Sequence, residues 1–117
     1  MFAYEKLEVY KKAYSTNRQV YSLLKNNHTI ASYAKNQLGN ASFSIMLNIA
    51  EGCAKFSNRD RKNFYTTARG SAFECSSLIS FLHDEGEIET SIKDFLYNSY
   101  EEISKILYVM IKNLSKE

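Results

Sequence analysis

Apolar positions recur along this chain at helical rather than strand spacing. Leu7, Tyr10, Tyr14, Tyr21 and Leu24 fall on three- and four-residue steps, with Asn17 as the polar interruption. They predict an amphipathic helix over about 5–25 that turns this stripe to the core and Lys6, Lys11, Lys12 and Arg18 elsewhere. The polar run Asn26-Asn27-His28-Thr29 breaks the pattern. Ala34, Leu38, Ala41, Ile45 and Ile49 then form a second stripe, predicting a helix over about 30–55. At the next break, Ser57-Asn58-Arg59-Asp60, Ser57 is placed to accept from the backbone N–H near Asp60, and Asp60 suits the positive end of a helix. Phe64, Ala68, Ser71, Cys75, Leu78 and Leu82 give the inward stripe of a third helix over about 59–85, which Gly86 is suited to end in the left-handed conformation. Ile92, Leu96, Ile103, Ile106 and Met110 mark a fourth over about 88–114. With no proline and four glycines in 117 residues, long stretches are free of helix breakers. The predicted fold is all-α, a single domain built as an antiparallel up-down-up-down four-helix bundle with short connections.

Two clusters of small residues interrupt this pattern, Ala50-Glu51-Gly52 and Gly70-Ser71-Ala72. Glycine inside a helix costs about 1 kcal/mol relative to alanine. Gly52 and Gly70 are therefore both expected where helices approach closely. Around them, Gln37, Ser44, Asn48 and Glu51 can lie along one side of the second helix, with Ser71 and Glu74 across from them and Arg69 available to neutralise a carboxylate. Such a polar network would fix helix register and subunit contacts.

Composition changes this picture little, but the charge pattern changes it more. Apolar residues are 44% and charged residues 24% of the chain, near the globular average, which favours neither disorder nor a membrane-embedded protein. No secretory signal is evident in the N-terminal residues, so the expected compartment is the cytoplasm. The net charge of +2 hides an asymmetry: residues 1–70 hold eleven Lys and Arg against four acids, whereas residues 71–117 hold four against nine. Lys55, Arg59, Arg61, Lys62 and Arg69 gather around the junction of the second and third helices, together with Phe56, Phe64 and Tyr65. Cations neutralise phosphates and rings stack on unpaired bases, which makes this corner the candidate nucleic-acid surface. A solvated helical junction with ordinary surface cations is the favoured reading of the same residues, and the opposite charges of the two halves could instead align neighbouring subunits.

Catalytic patterns are largely absent. A di-iron bundle needs Glu-x-x-His pairs, but Ser80 stands three residues before His83 and Lys25 three before His28. Neither histidine has an arginine at the short upstream spacing of a helical ribonuclease site. Glu5 and Glu8 form a carboxylate pair without a second pair to complete a magnesium site. Cys53 and Cys75 fit no metal-ligand spacing, and both are expected as buried thiols. No phosphate-cradling loop or nucleophile elbow is found. No metal, cofactor or membrane partner is expected, and a hydrolase using Glu51 and Glu74 is the least favoured reading.

At these residues the chain resembles the four-helix-bundle family encoded in intervening sequences of bacterial 23S ribosomal RNA genes, which includes the accessory variability protein of diversity-generating retroelements. The matching segments are LEVYKKA near the start, Gln37-Leu38, SIMLNIAEG at 44–52 and SNRDRKNFYTTARGSAFE at 57–74. The resemblance implies barrel-like homopentamers of four-helix protomers, with a basic surface that in the retroelement proteins binds nucleic acid and the reverse transcriptase. It also implies packing and assembly roles for Asn48, Glu51, Gly52, Gly70, Ser71 and Glu74. The chain departs from the family pattern at Val9-Tyr10-Lys11, where a WQ-like element is common, and at Gly39-Asn40-Ala41, where basic residues are common. The expected function is non-enzymatic: a self-assembling bundle that binds RNA or DNA, or scaffolds a nucleic-acid enzyme such as a reverse transcriptase. The alternative is a protein-binding adaptor without nucleic-acid affinity.

Overall fold

In the computed structural model, described over residues 1–116, the chain folds into four helices. They are α1 (Glu8–Asn26), α2 (Ser32–Ala54), α3 (Asn58–Asp84) and α4 (Thr90–Leu114), preceded by a short 3-10 turn at Ala3–Lys6. Cross-helix contacts run in opposite numerical order on every side, which fixes antiparallel neighbours all the way round. Across α1 and α2, Asn17 meets Met46, and Leu24 lies near Gly39. Across α2 and α3, Ser44 meets Ser71 and Gly52 meets Tyr65. Arg69 reaches Ser104 and His83 reaches Thr90 between α3 and α4, and Lys12 pairs with Glu102 at 3.0 Å between α1 and α4. The result is an up-down-up-down rod measuring 47 × 26 × 22 Å. One end carries the α2–α3 connection. The other carries the α1–α2 and α3–α4 connections, joined by a 2.7 Å hydrogen bond from the Thr29 hydroxyl to the Glu87 carboxylate.

Local chemistry sets the helix boundaries. Ser57 caps α3, its hydroxyl accepting from the Asp60 N–H at 3.1 Å, as the sequence predicts. Gly86, at φ 77°, ends α3 with a Schellman pair: Glu87 N–H donates to Leu82 O and Gly86 N–H to His83 O. The first helix begins three residues later than the pattern suggests. Leu7 is extended, and the Glu5 carboxylate accepts from the Phe2 N–H at 2.8 Å to close the separate turn before it. α2 also starts late, because the Asn27 side chain accepts from both Thr29 N and Ile30 N at 2.8 Å and drops Ile30 into the core. At the start of α4, Ile88 is likewise a buried plug ahead of the helix.

The core is drawn from all four helices, with Val20, Leu38, Ile45, Ile49, Cys75, Ile79, Leu96, Tyr100, Ile103 and Leu107 almost fully enclosed. The stripes predicted for α2, α3 and α4 face inward or half-inward, although Tyr65, Ala72, Ile79, Tyr100 and Leu107 join them unannounced. α1 differs from expectation. Its inward face is Val9, Ala13, Thr16, Asn17 and Val20, whereas Tyr14 and Tyr21 are exposed. Small and β-branched residues let α1 lie close, and the tyrosines keep their hydroxyls wet at its margin. Even so, α1 is the most loosely seated helix, bordered by a groove of about 500 Å³ against α4 and one of about 660 Å³ against α2.

Candidate functional site

The α2–α3 corner is built by a very short connection between two long helices. Lys55 ends α2, and Arg61 stabilises that end by donating from Nε to the Lys55 carbonyl at 2.7 Å. Arg61 is thus committed to the fold. Lys55 Nζ lies 5.0 Å from the centroid of the Phe64 ring, a cation held over an aromatic face. Tyr65 is buried against Gly52 and Phe64 is half-buried, so these two rings belong to the packing. Phe56 does not: its side chain is 99% exposed at the tip of the connection. Arg59 is exposed on the first turn of α3 beside it, with Lys62 half-buried one residue beyond Arg61. Lys55, Arg59, Arg61 and Lys62 thus all lie within six residues of a projecting aromatic ring.

Arg69 is not part of this corner. It lies ten residues along α3 from Arg59, about 15 Å up the axis, and turns toward α4. There its Nε donates to Ser104 O at 3.3 Å, and its guanidinium sits 4.7 Å from the Phe73 ring centroid and 5.3 Å from that of Tyr108.

The polar network along the α2–α3 seam forms largely as the spacing predicts. Gln37 donates to the Glu74 carboxylate, Ser44 and Ser71 share a 2.9 Å hydrogen bond, and Asn48 Nδ2 donates to Ser44 O at 2.8 Å and Ser44 Oγ at 3.0 Å. Glu51 is the exception: it is exposed and makes no hydrogen bond or ion pair among the described residues. Its neighbour Gly52 faces Tyr65, which sets Glu51 about nine residues, or about 13 Å, from Glu74 along the bundle. The two carboxylates do not share a pocket.

Gly52 is where the sequence places it, at a helix contact. A Cβ there would stand 2.7 Å from Tyr65 Cε1, 2.9 Å from Tyr65 Cδ1 and 3.0 Å from Phe64 Cβ. Gly70 is not: it is exposed, and a Cβ would meet nothing within 4 Å. Three consecutive helical residues fan over some 200° of arc, so Gly70, Ser71 and Ala72 cannot all face inward. Ser71 and Ala72 take the buried positions.

Behind the seam lies a buried polar group that the spacing did not reveal. Tyr100 is 1% exposed, and its hydroxyl lies against Ser42 and Cys75 without a hydrogen bond of full geometry. Burial pushes the Cys75 thiol up to about 12 and raises Tyr100 well above the usual phenol range. Both cysteines are free, but Cys53 is only half-buried, contrary to the expectation of two interior thiols. Among the described residues, no three His, Cys, Asp or Glu side chains converge as metal ligands, and no helix is long and apolar enough to cross a membrane.

A cluster of acids lies at the far end of the rod, where Lys25, Lys35 and Lys93 also lie. Asp84, Glu85, Glu87 and Glu89 occupy the α3–α4 connection and its edges, opposite the Phe56 corner.

Comparison with known proteins places this architecture. Residues 5–109 match the family described as "23S rRNA-intervening sequence protein". The fold is similar to the crystal structure of a protein of unknown function from the S23 ribosomal protein family of Bacteroides thetaiotaomicron, with a TM-score of 0.84 and 24% sequence identity over 89% of this chain and 98% of that one. No curated protein matches the chain.

Proposed function

The chain belongs to the 23S rRNA-intervening sequence protein family, and from that premise we propose that it is a non-enzymatic, self-assembling cytoplasmic protein that binds single-stranded RNA at the α2–α3 corner. The observation that carries this reading is the fully exposed Phe56 ring among cations. An apolar ring in water has no folding role at that tip, whereas stacking on an unpaired base is worth about 1–3 kcal/mol. Arg59 and Lys62 supply phosphate contacts, and Lys55 holds its charge close by over Phe64. Arg61 contributes by shaping the corner, since its Nε is bound to the Lys55 carbonyl.

Fluorescence anisotropy with a labelled single-stranded RNA tests the proposal. Phe56→Ala is expected to weaken binding at least about tenfold at constant salt. Arg59→Ala combined with Lys62→Ala is expected to weaken it and to flatten the log–log salt dependence by about 1.4, two phosphate contacts on a single strand. Binding that is undetectable, or that ignores both salt and Phe56, would overturn the proposal.

A further inference from the structure

We propose that the groove between α1 and α2 binds a free adenine nucleotide, with Asn17 reading the edge of the base and Arg18 and Lys25 holding the phosphates. The site is separate from the α2–α3 corner and does not depend on it. At about 660 Å³, the groove has the size that takes one small molecule. A cavity of about 290 Å³ continues it past Gly39, and Asn17, Tyr21, Lys25 and Phe43 line both.

Asn17 is the residue that calls for a ligand. It interrupts the apolar stripe of α1, yet the fold encloses it, 7% exposed, on the floor of the groove. Its Nδ2 donates to the Met46 sulfur at 3.7 Å, a weak acceptor. Its Oδ1 accepts no hydrogen bond among the described residues. An enclosed carboxamide left half-used costs stability, and a leucine would fill the same place without that cost. The adjacent acceptor and donor of a carboxamide match the N6 amino group and N7 of adenine, whereas guanine presents two acceptors at that edge.

The walls supply the rest of the ligand's complement. Tyr14, Arg18, Tyr21 and Lys25 follow one another at steps of four, three and four, so they share one edge of α1. The contacts of Asn17 with Met46 and of Leu24 with Gly39 set the register of the two helices, which puts Phe43 level with Tyr21 across the groove. Both rings are exposed, and a planar base stacks on such faces. Arg18 and Lys25 are exposed too, with no hydrogen bond or ion pair among the described residues. No Asp or Glu lines either cavity to compete for them. Lys25 stands eight residues from Asn17, about 12 Å along the axis, a span that a base and its phosphates cover together and that neither covers alone. One end therefore reads a base while the other holds charge.

Isothermal titration calorimetry on the full chain tests this, with circular dichroism confirming that each variant is folded. Adenosine 5′-monophosphate is expected to bind with a Kd below about 1 mM, and guanosine 5′-monophosphate, adenosine and inorganic phosphate each about tenfold more weakly. Asn17→Leu is expected to weaken the adenine nucleotide about tenfold and to erase its advantage over the guanine nucleotide. Arg18→Gln combined with Lys25→Gln, both at exposed positions, is expected to weaken the nucleotide about tenfold and leave adenosine unchanged. Phe56→Ala is expected to have no effect, because Phe43 lies eleven residues, about 16 Å, from the end of α2; groove and corner can thus fail separately. Absence of saturable binding at about 1 mM nucleotide would overturn the proposal. So would inorganic phosphate binding as tightly as the nucleotide, or an oligoadenylate binding more tightly at the same residues. Nucleotide affinity that survives Asn17→Leu would also overturn it, and should that variant not fold, affinity that survives the paired exposed substitutions would do the same.

Discussion

Gly52 and Gly70 are the same residue on adjoining helices, and their surroundings are opposite. At Gly52, in the last turn of α2, the missing Cβ is occupied by the Tyr65 ring and the Phe64 Cβ. At Gly70, midway along α3, the missing Cβ leaves open space. Sequence pattern treats the two alike, because both break helical propensity inside an otherwise helical run. The difference teaches that a costly glycine reports a need for room without saying whose room it is: the first is filled by the chain's own fold, and the second is left outside it.

Substitution at the crowded glycine is expected to have the largest effect. Gly52→Leu should destabilise the protomer by about 3 kcal/mol in urea denaturation, since Tyr65 and Phe64 must both shift. A neutral result would mean the contact is loose and the comparison false. Thiol titration sharpens the same contrast between inside and outside. Cys75, enclosed behind the seam, holds its proton until about pH 12, while in the unfolded chain it ionises near pH 9. Its stabilising contribution is therefore complete below pH 9 and is lost as pH climbs to 12, at up to about 1.4 kcal/mol per unit within that window. Stability measured across that range should fall, and at pH 8 a thiol reagent should modify the half-buried Cys53 while sparing Cys75. Next in size is the connection that Gly52 abuts: Ser57→Ala removes the cap on α3 and should cost about 1 kcal/mol. The smallest effect has the opposite sign. Gly70→Ala should stabilise the protomer by about 0.5–1 kcal/mol, because it regains helix propensity at no steric cost. A loss there would show that Gly70 serves the single chain after all.

The four helices were legible because their apolar periodicity is long and uninterrupted, and Ser57 and Gly86 marked two boundaries through chemistry that depends only on local backbone. The face of α1 was misjudged. Tyr14 and Tyr21 fit the period as well as Val9, Ala13 and Val20 do, and apolarity alone cannot tell which of two overlapping stripes a neighbouring helix will accept. In the seam, residues at steps of seven and four found their partners, since that spacing holds one side of a helix. Glu51, three further on, rotated out of line. The corner cations were visible as a cluster, but proximity in sequence could not separate Arg61, consumed by the end of α2, or Arg69, turned to α4, from Arg59 beside Phe56. The exposure of Phe56 had one available signal: it sits between a helix end and a capping serine, where a chain this tightly turned has no interior to offer.

The separation of a cationic aromatic tip from an acidic opposite end has a consequence for how a long strand would be gripped. On the proposed function, self-assembly as rods side by side around a common axis would put every Phe56 on a single rim. Weak individual grips would then combine into avidity, because each bound nucleotide would raise the local concentration of the next at a neighbouring tip. Such an arrangement would have sidedness, with a strand captured at the Phe56 rim.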